Sequence, residues 1–160
     1  MNAASIQQIK TALKDADKKQ LTEICLRLAR HKKENKELLS YLLFEADDND
    51  AYVAQVKQEM DENFSQVNTA HVFFAKKTLR KALRMANRHV RFMASREAEA
   101  QILLHYLTNF KGLPMAWQKQ KLLRNIYEGQ LKKAAAAIDS LHEDLQYDYR
   151  RNFERLQQLD

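Results

Sequence analysis

Asp139 and His142 stand three residues apart. On a helix that spacing puts a carboxylate and an imidazole on one face. Helical bundles build two-metal sites from such units, but they combine two Glu-x-x-His pairs with two further inward Glu residues. This chain has no Glu-x-x-His pair, and its five histidines, His31, His71, His89, His105 and His142, are scattered without an H-E-x-x-H arrangement. Asp139 and His142 are therefore read as surface residues. Asp48-x-Asp50, with Glu59 at the twelfth position, has the outline of a calcium loop. Tyr52 replaces an oxygen ligand at the fifth position and Val53 replaces the glycine that turns the loop at the sixth, so helix capping is the better account of these acids. Two glycines, Gly112 and Gly129, cannot form a glycine-rich phosphate loop, and Ser40, Ser95 and Ser140 lack a nucleophile setting. No catalytic residue, metal ligand, cofactor or small-molecule ligand is expected, and the chain reads as a binding protein rather than an enzyme.

Charge is the more informative chemistry. From Asn63 to Arg96 there is no Asp or Glu, while eight bases occur: Lys76, Lys77, Arg80, Lys81, Arg84, Arg88, Arg91 and Arg96. The whole chain carries a formal +6, so the remainder is −2. At helical spacing, Lys77, Arg80, Lys81, Arg84, Arg88 and Arg91 fall between about 80° and 180° on a wheel with Val72 at zero, opposite the apolar arc. Such a stripe can match phosphates or an acidic partner, and arginine's planar fork suits phosphate. The competing expectation is internal neutralisation. Glu45 to Glu62 holds seven acids against one base, Lys57, and in an antiparallel hairpin Asp50 would lie near Arg84 to Arg88. Phe73, Phe74 and Phe92 flank the basic run and are expected in the core. No zinc-finger spacing, helix-turn-helix glycine turn or aromatic RNA-binding motif accompanies it.

The elements that must position these residues are helices. Gly occurs twice and Pro once, where average usage would give roughly eleven and eight in a chain this long. Strand-rich folds need those residues for their turns, so the chain is expected to be all-α. Eight segments follow: Ile6 to about Asp15; Leu21 to Ala29; Leu38 to Ala46; Ala51 to Phe64, with Val53, Val56, Met60 and Phe64 inward; Ala70 to Ser95, burying Val72, Ala75, Leu79, Ala82, Leu83, Ala86, Val90 and Met93; a sixth with Ala98, Ile102, Leu103, Tyr106, Leu107 and Phe110; a seventh carrying Trp117, Leu122, Leu123, Ile126 and Tyr127, with Gly129 marking its end or a kink; and a long last helix from Gln130 to Gln158. On that last helix Tyr149 is expected to pack inward with Leu145, Phe153 and Leu156 while Arg150 and Arg151 are solvated. Cys25 lies on an apolar stripe and is expected to be a small buried hydrophobe. Short connections predict antiparallel hairpins, arranged as a short α-α superhelix of the HEAT kind or as an irregular bundle, in a single domain over residues 1–160.

The N-terminus has no basic start followed by an apolar run, and no apolar stretch approaches the ~18 residues that span a bilayer. A soluble, cytoplasmic protein without a membrane partner is expected. The run Lys19-Gln-Leu-Thr-Glu-Ile-Cys-Leu-Arg-Leu-Ala-Arg30, continued by Lys33-Glu-Asn-Lys-Glu-Leu-Leu-Ser-Tyr-Leu-Leu-Phe-Glu-Ala46, is similar to a group of short, uncharacterised, all-helical bacterial proteins. The resemblance covers about the first third, and implies a helical protein without implying an activity. The expectation is a non-enzymatic module that binds another protein or itself, with nucleic-acid or anion binding through residues 70–95 as the alternative.

Overall fold

A computed structural model describes residues 2–159. These residues form eight α-helices and one 3-10 turn, with no strand among them: α1 (Ile6–Asp15), α2 (Lys18–His31), α3 (Lys33–Phe44), α4 (Asn49–Ser65), α5 (Val72–Met93), α6 (Arg96–Lys111), the 3-10 turn (Trp117–Lys119), α7 (Lys121–Asp139) and α8 (Glu143–Gln157). The all-α expectation holds. The chain divides into two compact units, Met1–Glu45 and Ala46–Asp160.

In the first unit local chemistry sets the helix ends. Ser5 with Gln8, and Asp17 with Gln20, form reciprocal capping boxes that satisfy orphan amides at the starts of α1 and α2. A single extended residue, Lys32, separates α2 from α3, which pack together. Burial is sparse: α1 and α2 contain no buried residue, and α3 contains one, Tyr41. Ile6, Ile24, Leu28, Leu42, Leu43 and Phe44 are all exposed. Cys25 is exposed too, correcting the expectation of a buried thiol. Its stripe is real, but three helices make too thin a layer to cover every apolar face they carry.

The second unit has the core. Val53, Val56, Met60 and Phe64 of α4 are buried as their spacing predicts, with Tyr52 and Asn63 added. All six predicted α6 residues, Ala98, Ile102, Leu103, Tyr106, Leu107 and Phe110, are buried. Asp48 caps α4 by accepting from the Ala51 amide at 2.9 Å, and Ser95 caps α6. Between α5 and α6 the chain turns at Ala94, whose φ of 48° and ψ of 33° are left-handed. That conformation costs an L-residue about 1–2 kcal/mol. It lets the Ala94 amide close on the Val90 carbonyl while Ser95 starts the next helix.

The C-terminal boundaries differ from expectation. Trp117 belongs to the separate 3-10 turn, and α7 runs through Gly129 without interruption. The break falls instead at Ser140–His142, ahead of α8. Leu123, Tyr127, Gln130, Ala134 and Ala137 continue one buried face across Gly129, and that burial outweighs the ~1 kcal/mol a mid-helix glycine costs. A Cβ built on Gly129 meets nothing within 4 Å, and its φ is not positive. Gly129→Ala should therefore stabilise the unit by about 0.5–1 kcal/mol, seen as a thermal midpoint higher by about 2–4 °C. A lower midpoint would show that the helix needs glycine there.

Candidate nucleic-acid interface

Small residues position α5. Ala75, Leu79, Ala82 and Ala86 are buried along the face it presents to α4 and α6. Ala75, Ala82 and Ala86 add only a methyl each to this face, and the wide arc left over carries the long cations. Lys77, Arg80, Lys81, Arg84 and Arg91 are exposed, and Arg88 is half-buried. The six do not form one equivalent set. Arg88 and Arg91 already interact with other groups of the chain. The side chains of Lys77, Arg80, Lys81 and Arg84 make no hydrogen bond or ion pair with any described residue.

The expected neutralisation by α4 does not occur at those four positions. Tyr52, Val53, Val56 and Met60 occupy the buried side of α4, and α4 packs against α5. Two acids of α4, Glu59 and Asp61, find other partners. Glu59 lies 3.5 Å from His89. Asp61 accepts from Asn109 at 2.6 Å and stands 2.6 Å from His105 Nε2, both on α6. Asp48 is spent on its own helix cap. None of these carboxylates pairs with Lys77, Arg80, Lys81 or Arg84.

Phe73 and Phe74 correct a second expectation. Phe92 is buried, but Phe73 is 69% and Phe74 52% exposed. Their rings meet edge to face at 5.7 Å, and His71 packs against Phe74 at 5.9 Å. Counting 100° per residue, Phe73 falls at about 100° on the same wheel, within the cation arc. The exposed face thus begins with an aromatic cluster and continues through Lys77, Arg80, Lys81 and Arg84. The first turn of α5 contains no acid, and His71 makes no side-chain cap.

The other candidates are placed as follows. Asp139 ends α7 and His142 is the N-cap of α8, so they do not share a helix face. Asp139 lies 3.9 Å from Arg150, and His142 accepts from the Asp144 amide at 3.4 Å. Among the described residues no three His, Cys, Asp or Glu side chains are grouped to hold a metal. Tyr149, Leu145 and Phe153 are half-buried and Leu156 is buried, while Arg150 and Arg151 are exposed. Tyr149 donates to Glu97 at 2.9 Å; burial, then the Glu97 hydrogen bond and charge, push its hydroxyl up to about 12.

Sequence reasoning missed the Asp61–His105 pair, whose members are 44 residues apart. Partial burial works to raise the Asp61 carboxyl, but the Asn109 and His105 hydrogen bonds and the His105 charge outweigh it and hold the group below its ordinary value. Beside His105 lies a groove of about 450 Å³, lined by Lys57, Gln101, Leu104, Thr108, Tyr149 and Asn152. A carboxylate–imidazole pair could activate a hydroxyl nucleophile. However, the Thr108 hydroxyl is turned back onto the Leu104 carbonyl at 2.8 Å, and Tyr149 is engaged by Glu97. The pair joins α4 to α6, and no adjacent serine or cysteine lines the groove. No family model, curated protein or solved structure matches the chain. No helix among the described residues is long and apolar enough to cross a membrane.

Proposed function

We propose that this chain is a non-enzymatic, cytoplasmic helical binding module whose α5 face docks on the phosphate backbone of nucleic acid. One observation carries the reading: Lys77, Arg80, Lys81 and Arg84 stand exposed on one helix face with no carboxylate partner among the described residues. Had the α4 acids paired with them, exposed ion pairs would have added little stability but would have cancelled the field that attracts a polyanion. Seven residues separate Lys77 from Arg84, a length of about 10 Å along the axis, so the charges can follow one backbone.

The test is binding of labelled duplex DNA, single-stranded DNA and RNA across a salt series, with Arg80→Glu/Arg84→Glu as the variant. Both positions are exposed and unpaired, so the variant should keep its helical circular dichroism. Four phosphate contacts give a slope of log K against log salt of about −3.6 on duplex, and the variant should lose about two units of that slope and weaken binding at least tenfold. An absence of binding at low salt overturns the reading.

A second reading, docking on another protein or on a second copy, is favoured by a different observation. Leu42, Leu43 and Phe44 are exposed together at the end of α3, in a unit that buries only Tyr41 among its described residues. Exposed apolar clusters of this kind are characteristic of protein interaction surfaces.

A further inference from the structure

We infer that the α5 face selects single-stranded over duplex nucleic acid, with Phe73 and Phe74 as the stacking platform; this rests on the phosphate-docking reading above. Two exposed phenylalanines at the start of a basic stripe are not required by the fold. Neighbouring positions on the same helix bury Ala75 and Leu79 completely, whereas Phe73 and Phe74 leave most of their ring surface in water. Apolar rings in that position gain most from a ligand with flat faces of its own, and the surrounding cations specify that the ligand is anionic. Nucleobases joined by phosphates supply both.

The geometry favours the unpaired strand. The two rings are 77° apart at 5.7 Å between centroids, so they present differently directed faces instead of one flat shelf. Bases in a duplex are stacked on one another and show only their edges in the grooves. An unpaired strand can turn successive bases outward onto the rings while its backbone continues along the cations. Phe73 to Arg84 spans about 16 Å at 1.5 Å per residue, with Lys77 one turn from Phe73 and Arg80 and Lys81 the next turn on. No Asp or Glu interrupts the chain between Asn63 and Arg96, so α5 itself carries no carboxylate that would repel the phosphates.

The experiment compares a short labelled single strand with the same strand annealed to its complement. The proteins are the full chain, Phe73→Ala/Phe74→Ala and Arg80→Glu/Arg84→Glu. The wild type should prefer the single strand. The phenylalanine variant should bind it about tenfold or more weakly, as expected for loss of base–aromatic stacking, while its duplex affinity changes by less than about twofold. The arginine variant should weaken both ligands. If the phenylalanine variant keeps its single-strand affinity, or loses affinity for both ligands equally, the stacking inference is wrong while phosphate docking stands. If the arginine variant binds both like the wild type, the phosphate reading itself fails. Both Phe positions are exposed, and an unchanged thermal transition checks that the variant remains folded.

Discussion

Trp117→Ala is expected to destabilise the Ala46–Asp160 unit by about 3–5 kcal/mol, the range for removing a large buried aromatic side chain. Trp117 is fully buried at 0% exposure. Its ring lies 4.6 Å from that of Tyr127 on α7 and 5.0 Å from that of Phe110 on α6. Phe110 and Tyr127 also meet directly at 5.4 Å. The indole thus completes a three-ring cluster from its place on the 3-10 turn between α6 and α7, the most extensively packed helix pair of the unit. Alanine would leave a cavity whose walls belong to both helices, and those helices cannot close together without breaking their other contacts. Trp117→Phe supplies the contrast. The indole N–H has no hydrogen-bond partner among the described residues, so phenylalanine removes a buried donor along with some volume and should cost only about 1–2 kcal/mol. Urea unfolding followed by far-ultraviolet circular dichroism measures both, because the chain has one tryptophan and either variant removes its fluorescence. Equal losses for the two variants would show that ring volume at this position is not what holds α6 to α7.

Tyr106 should divide in a similar way. Its ring is 0% exposed and packs edge to face on Phe64 of α4 at 5.2 Å and on Phe110 at 5.9 Å. Its hydroxyl donates to the Leu79 carbonyl of α5 at 3.1 Å. One side chain therefore ties α6 to two other helices, through apolar area to one and a hydrogen bond to the other. Burial raises the hydroxyl far above its ordinary value, so it remains a neutral donor while the unit is folded. Tyr106→Ala should cost about 3–5 kcal/mol. Tyr106→Phe should cost about 1 kcal/mol, at the low end because the Leu79 carbonyl lies within α5, where the helical ladder supplies an acceptor's usual partner. Chemical unfolding of the three proteins decides the matter. A Phe variant as unstable as the Ala variant would mean that the α5 hydrogen bond, and not the ring, is the main contribution.

Much of this interior was legible beforehand. In α4 and α6 every residue predicted to face inward does so, because these helices are packed against neighbours over most of their length and periodic burial leaves a periodic sequence. Periodicity failed where no neighbour covers the face. Cys25 and Ile24 repeat at helical spacing just as Val53 and Val56 do, yet both are exposed. The pattern tells which residues share a face, and only the packed structure tells whether another element lies on it. Gly129 misled for the opposite reason: a local helix-breaking preference worth ~1 kcal/mol yields to several buried side chains on either side of it. The candidate interface was half legible. Its cations stood out as a run without acids, but Phe73 and Phe74 looked like core because a phenylalanine at helical spacing usually is.

The sequence by itself determined that this protein is built of helices, where most of them begin, and that its positive charge is gathered on one of them. Those properties are local: they follow from the scarcity of Gly and Pro, from capping side chains within a few residues of each helix start, and from composition along a single segment. Tertiary structure decided which charges meet. Glu59 and Asp61 of α4 turn to His89, His105 and Asn109, and Lys77, Arg80, Lys81 and Arg84 stay unpaired among the described residues, on the helix that also exposes two aromatic rings. Net charge sums a chain regardless of geometry, whereas an ion pair needs its partners within a few ångströms, and only the packing of α4 against α5 and α6 sets those distances.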